Sequence, residues 1–480
     1  MSISLIALEI AVVGLALLVL LADLWMPPAW KPRLGYVAAF GLLVILTLSF
    51  ANPIGLGSRF SFHDVFVEDG LAVFFDRLFL AATLLVVLMG TEFADRIHSG
   101  IAEFYGLILM ALAGMMFSAS ANDFVMVFVS LELITVSFYV LVSFQRARMR
   151  SLEAGVKYLI IGAMSTAFLV FGIALIFGVA NTTNFVQLSG QAGALGHNKV
   201  FWLGILFVLI GFAFKISAFP MQMWAPDVYQ GAPVPVTAFL AVASKAAGFV
   251  LLLRVLFVAV PYVSLQWSHF FMLVAAVTIL YGNLCAIPQR NLKRLLGYSS
   301  VANAGYLLLG VVALSASGTA AILYFLASYL FTLSAAFIVI CIVCRQSEEI
   351  TSLAGLNQRS PMLAAAMTMA MVSLGGVPPL AGFIGKFLLL KALVEQGAGD
   401  HFYYLLAFLT VVGVVISYYY YFGVIRSVYW SNEPGDLSPI SLSPLAAVSL
   451  IICMAGMIYL GICPGGTLAS ATAAVNAFKF

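Results

Sequence analysis

The chain has 480 residues, of which 63% are hydrophobic and only 9% charged, with a formal net charge of +3. A soluble domain carries about 25% charged residues, so this composition describes a membrane protein that crosses the bilayer many times. The small net charge and scattered basic residues exclude a nucleic-acid partner.

The first apolar stretch, Ile3 to Leu21, carries Glu9, has no basic flank and lacks a small-residue cleavage pattern, so it is expected to be an uncleaved span. A helix needs about 17 residues or more to cross some 30 Å of hydrocarbon. Cutting at polar clusters gives about fourteen such spans: 3–24, 35–51, 71–90, 103–119, 122–143, 154–179, 200–224, 233–260, 268–288, 295–316, 320–344, 361–396, 402–429 and 443–463. Only Ser120 and Ala121 separate the fourth from the fifth. The connections are short, which leaves no room for a soluble catalytic domain.

Loops after odd-numbered spans hold Lys31, Arg33, Arg96, Arg146, Arg148, Arg150, Arg290, Lys293, Arg294, Arg345, Arg359 and Arg426. The opposite loops hold Arg59, Lys199, Arg254 and Lys479. The excess places the first set in the cytoplasm and both termini outside, in the periplasm.

Several function classes are unsupported. His63, His98, His197, His269 and His401 fall in loops or near span ends, against a haem held at depth by axial histidines. Cys341 and Cys344 form a C-x-x-C in an apolar run without a nearby histidine, a poor metal or redox site. No phosphate-binding G-x-x-x-x-G-K-[ST] occurs, so ATP-driven transport is not expected.

The informative residues are charges inside spans. A lysine at mid-bilayer costs roughly 2.5–3.5 kcal/mol on insertion scales, so each needs an explanation. Glu132, Lys215 and Lys245 lie deep, and proton handling is the expected reason. Lys386 follows GGVPPLAGFIG, where Pro378, Pro379 and the glycines cannot sustain a helix, and unwound backbone at depth lines protein or water. Lys157 stands near a span start and reads equally as structural or functional. Lys391 is expected to pair with Glu395, and Arg77, beside Asp76, reads as structural. The tyrosines at 418 to 421 read as an interfacial aromatic belt.

The span with Lys215 is interrupted at Pro220, and the one with Lys386 five spans later. Matched interruptions predict two inverted five-helix repeats, helices 4–8 and 9–13, with two discontinuous helices in an all-α polytopic fold. The corresponding division is 1–102, 103–260, 261–430 and 431–480.

The runs FPMQMWAPDVYQGAPVPVTAFLAVASKAAGF, LELITVSFYVL, EAGVKYLIIGAMSTAFLVFG, NLKRLLGYSSVANAGYLLLG and GGVPPLAGFIGKF resemble the N subunits of bacterial NADH:quinone oxidoreductase, respiratory complex I. They cover most of residues 120 to 396. The resemblance implies an inner-membrane, membrane-arm subunit without a cofactor of its own. NADH, FMN, iron–sulfur clusters and quinone would belong to other subunits, and antiporter-like paralogues would be neighbours. It also implies that Glu132, Lys157, Lys215, Lys245 and Lys386 handle protons with internal water. Where many relatives read S-x-x-H-x-G-Y, this chain has Asn303 in the histidine position; an asparagine can orient water but does not titrate near neutrality.

The mechanism expected from these residues is a switch. Burial disfavours a charged ammonium and a nearby carboxylate favours it, so making and breaking a Glu132–Lys215 pair would change the lysine's hold on its proton. The alternatives are a stand-alone cation/proton antiporter of similar fold and a passive membrane scaffold.

Overall fold

A computed structural model describes the chain except residues 1–2, 52–53, 55–56, 98, 262–263, 346, 398–399, 431–437, 477 and 479–480. His98 and Lys479 therefore lie outside the described residues.

The helices in chain order are α1 (Ala7–Trp25), α2 (Leu34–Ser49), α3 (Gly70–Phe93), α4 (Ile101–Ala119), α5 (Phe124–Val142) and α6 (Met149–Ala180). Two short pieces, α7 (Phe185–Gly190) and α8 (Ala192–Leu195), lead into α9 (Lys199–Ile216), α10 (Trp224–Gly231), α11 (Val234–Phe239) and α12 (Lys245–Arg254). Then come α13 (Ser264–Ala286), α14 (Leu292–Val312), α15 (Ala316–Val343), α16 (Leu356–Arg359), α17 (Pro361–Gly375) and α18 (Ala381–Gln396). The chain closes with α19 (His401–Trp430), α20 (Pro444–Ile462) and α21 (Gly465–Val475). A small hairpin of β1 (Arg59–Ser61) on β2 (Phe66–Glu68) occupies the loop before α3.

Among the described residues, thirteen helical stretches are long and apolar enough to cross a membrane. The broken pair α17 and α18 supplies the fourteenth crossing, and every expected span has a counterpart. The largest boundary difference is at 200–224, where α9 stops at Ile216. Its C-cap, Ser217, adopts φ +59°, a left-handed turn that ends the helix well before Pro220. At 1.5 Å per residue its 18 residues still cover about 27 Å. The other interruption follows Gly376, which caps α17 at φ +82°, a conformation glycine adopts without a Cβ penalty. Both interruptions contain a cis peptide, Phe219–Pro220 and Pro378–Pro379.

Glycine also sets the fold at the second interruption. A Cβ on Gly382 would lie 1.9 Å from the Ser373 carbonyl oxygen, so only glycine lets α18 start against the end of α17. The span from Val234 to Ala259 is continuous but widens into π-helical turns at Leu240–Ser244 and Val255–Ala259, bracketing α12. Such turns recur at functional sites.

Arg254 departs from its expected place in an outer loop. It is the last residue of α12, only 1% exposed, and forks onto Asp69 at 2.8 and 3.1 Å while donating to the Ala119 carbonyl. Asp69 in turn caps α3 by accepting from the Ala72 amide at 2.9 Å. One buried pair thus ties α12 to the start of α3 and the end of α4. Lys293, also expected in a loop, is fully buried at the start of α14, where it donates to the Ala232 carbonyl and pairs with Glu348.

Candidate functional site

The helix that assembles the site is α14. It presents Ser299, Asn303 and Tyr306 at spacings of four and three, one helical face, with Ser300 beside them. All four are buried.

Lys245 begins α12 at 1% exposure and donates to both the carbonyl and the hydroxyl oxygen of Ser300, the latter at 2.5 Å. Tyr229, on α10, shares a 3.0 Å hydrogen bond with the same hydroxyl. One residue earlier, the Ser299 hydroxyl meets the Tyr421 hydroxyl of α19 at 2.5 Å. Asn303 donates from Nδ2 to the Ser299 carbonyl at 2.8 Å, while its Oδ1 is buried without a partner among the described residues. The expected water-orienting role is therefore open only to that oxygen.

Lys386 sits on the first turns of α18. Its Nζ donates to the Leu374 carbonyl at 2.6 Å and lies 4.7 Å from the centre of the Tyr306 ring. A helix C-terminus leaves carbonyls unsatisfied and carries partial negative charge, which is what a cation needs. The Pro378/Pro379 interruption thus makes the acceptor for Lys386 by ending α17. The Tyr306 hydroxyl accepts from Asn283 at 3.0 Å, and the Tyr420 hydroxyl donates to Asn283 at 2.9 Å. Tyr420 and Tyr421 have ring centres 4.4 Å apart. A polar path of serine, tyrosine and asparagine groups therefore fills the space between Lys245 and Lys386.

Against the reading of residues 418 to 421 as an interfacial belt, Tyr420 and Tyr421 are buried in this path, while Tyr419 is 70% exposed. Four successive helical residues point about 100° apart, so they cannot share one environment. That spacing was the available signal.

Lys215 occupies the last turn of α9, and its Nζ is buried without a hydrogen-bond partner among the described residues. Ser217 Oγ and Gln222 Oε1, in the interruption just beyond, are also buried without partners among the described residues. Buried polar atoms of this kind are ordinarily satisfied by internal water.

Glu132 makes no ion pair with Lys215 among the described residues, where the Lys215 Nζ has no partner, though the two remain in electrostatic range. The carboxylate instead accepts from the Thr166 hydroxyl of α6 at 2.7 Å. It lies in line with Val125, Val129, Val136 and Val140, the exposed stripe of α5. Glu132 is thus half-buried at the edge of that stripe, held against α6.

Lys157 is 43% exposed at the side chain and pairs with Glu153 and Asp227, each at 2.8 Å. Asp227 also accepts from Arg294, a network the linear sequence did not reveal. Burial pushes the Asp227 carboxyl up, but hydrogen bonds from Lys157 and Arg294 outweigh it and hold it below its ordinary range. Lys391 pairs with Glu395 at 3.7 Å on the surface, as expected from its spacing. Arg77 donates to the Ser49 carbonyl at 3.2 Å and lies over the Phe50 ring.

A multi-helix membrane bundle with interrupted spans and buried lysines at helix ends defines an antiporter-like membrane subunit. Residues 121–417 match the family described as NADH:quinone oxidoreductase/Mrp antiporter, transmembrane. Within it, the chain belongs to the NADH-quinone oxidoreductase subunit N family. It is 38% identical to subunit N of Moorella thermoacetica, covering 96% of this chain and 95% of that one. It is 41% identical to subunit N of Heliobacterium modesticaldum, covering 92% of each. Among solved structures, a chain of respiratory complex I from Thermus thermophilus with bound aureothin superposes with a TM-score of 0.82 at 30% identity, covering 97% of this chain and all of that one. A chain of the Mrp complex from Dietzia shares the fold, with a TM-score of 0.82 at 22% identity.

Proposed function

We propose that this chain is a proton-translocating membrane-arm subunit of an NADH:quinone oxidoreductase, moving protons through Lys215, Lys245 and Lys386 with Glu132 as the group that biases them. The observation that carries the reading is the buried path from Lys245 through Ser300, Ser299 and Tyr421 to the Tyr306–Lys386 contact. Each member is a hydroxyl, amide or ammonium that can pass or orient a proton. Electron transfer from NADH to quinone belongs to other subunits, which hold FMN and the iron–sulfur clusters.

The position of Glu132 at the edge of the exposed stripe of α5 changes the switch. An ionised carboxylate on a lipid-facing stripe is costly, so a neighbouring membrane subunit covers that face of α5 and its charges help set the state of Glu132. Lys215 then responds to Glu132 through space rather than by direct contact. Moving a proton against about 180 mV requires roughly 4 kcal/mol, within reach of a charge change in a poorly solvated setting. Lys157, with Asp227 and Arg294, stands at the loop end that carries most of the basic residues, which we assign to the cytoplasm. Both termini are then periplasmic.

The test is NADH-driven acidification of inverted membrane vesicles. Glu132→Gln and Lys215→Ala are expected to leave the complex assembled and to cut proton uptake severely. Normal stoichiometry in both variants would exclude the proposed roles. A stand-alone antiporter would instead migrate apart from the flavin and iron–sulfur subunits on a native gel.

A further inference from the structure

We propose that a cavity between α1, α4 and α5 is a binding site for an anionic phospholipid, its phosphate held by arginines and its acyl chains lying along the helices. The cavity encloses about 1350 Å³. At its mouth stand Arg96, Arg146, Arg148 and Arg345, four guanidiniums facing two carboxylates, Asp95 and Glu103.

Their existing partners do not cancel this surplus. Arg96 donates to the Cys341 carbonyl at 2.6 Å, a neutral acceptor. Arg148 reaches Glu348 only at 3.6 Å, and that carboxylate is already bound by Lys293 at 2.9 Å. Arg146 and Arg345 are exposed and have no ion pair among the described residues. A phosphodiester offers anionic oxygens that guanidinium forks match well.

Below the mouth the lining changes character. Leu20 of α1, Leu107 and Met110 of α4 and the ring of Tyr139 of α5, beside the stripe that the neighbouring subunit covers, form a largely apolar wall. Met110 lies nine residues into α4, roughly 14 Å below the start of the helix, so the wall runs well into the depth of an acyl chain. A soluble anion has no use for such a wall, and a partner peptide would have to bring carboxylates to the level of the headgroups. Basic pockets between helices on the cytoplasmic side are the usual seat of acidic lipid headgroups.

The test uses the assembled complex in phosphatidylethanolamine vesicles containing a small fraction of phosphatidylglycerol, with a photoactivatable diazirine in the acyl chain of one lipid or the other. Phosphatidylglycerol is expected to label peptides from 101–110 and 139–148 several-fold more than phosphatidylethanolamine does. Arg146→Ala with Arg345→Ala should lower that labelling on the order of twentyfold, roughly fivefold per arginine, while Arg146→Lys retains most of it. Loss of labelling on adding inorganic phosphate would assign the cavity to a free anion and overturn the proposal. So would equal labelling by the two lipids, or a Ser143→Cys crosslinker that captures a neighbouring subunit's helix in place of lipid. Should the double variant fail to assemble, the comparison of the two lipids in the unaltered complex still decides.

Discussion

Lys386 donates its ammonium to the Leu374 carbonyl at 2.6 Å, across the interruption that separates α17 from α18. The contact exists because the chain stops being helical at Gly376. A continuous helix would have used that carbonyl itself. The break therefore serves as the counter-charge for a lysine that has no carboxylate partner among the described residues.

Replacing this lysine separates function from surface charge. Lys386→Ala should abolish most NADH-driven proton uptake in inverted vesicles, whereas Lys391→Ala, five residues on and paired with Glu395 at the surface, should leave it unchanged. Equal loss in both would show that net charge on α18, rather than the contact with α17, matters.

The tyrosine run gives a sharper comparison. Tyr421→Phe removes the hydroxyl that meets Ser299, while Tyr419→Phe removes one from an exposed side chain. A hydrogen bond in this setting is worth about 1 kcal/mol, more where charge is involved, so a fall of about five- to tenfold in proton uptake is expected for Tyr421→Phe. Tyr419→Phe should match the parent. Ser300→Ala, which leaves Lys245 only the backbone carbonyl, should resemble Tyr421→Phe.

The Arg254–Asp69 pair is structural in this account. Removing one partner from a buried ion pair costs about 3–5 kcal/mol because the other charge is stranded, whereas replacing both with apolar groups can be neutral. Arg254→Leu alone should sharply lower the amount of subunit in the membrane, and Arg254→Leu with Asp69→Leu should recover much of it. Immunoblotting of membranes measures this directly.

Asp227 carries a pH signature. Its carboxyl is held low in the folded chain, so the stability it supplies is present above the ordinary carboxylate range, near pH 4, and is lost as pH falls through the depressed value. Asp227→Asn should lower the thermal midpoint of the detergent-solubilised protein at pH 7, and the gap from the parent should close under strong acid. A gap that stays constant with pH would mean that the carboxylate's charge is not what Lys157 and Arg294 recognise.

The sequence by itself was enough to find the spans, the two interruptions and the deep lysines. Each rests on a property local to the chain: an apolar stretch must match the bilayer, proline cannot donate within a helix, and charge in hydrocarbon is costly wherever its neighbours lie. Facing was another matter. A helix turns about 100° per residue, so which side of α5 meets the interior, or which two of four tyrosines are buried, depends on the helices packed around them. Glu132 therefore read as a direct partner of Lys215 when it is half-buried and bonded to Thr166 of α6, and Arg254 read as a loop residue when it is the buried anchor between α3, α4 and α12. The polar path between Lys245 and Lys386 likewise exists only because tertiary packing brings α10, α12, α13, α18 and α19 around one face of α14.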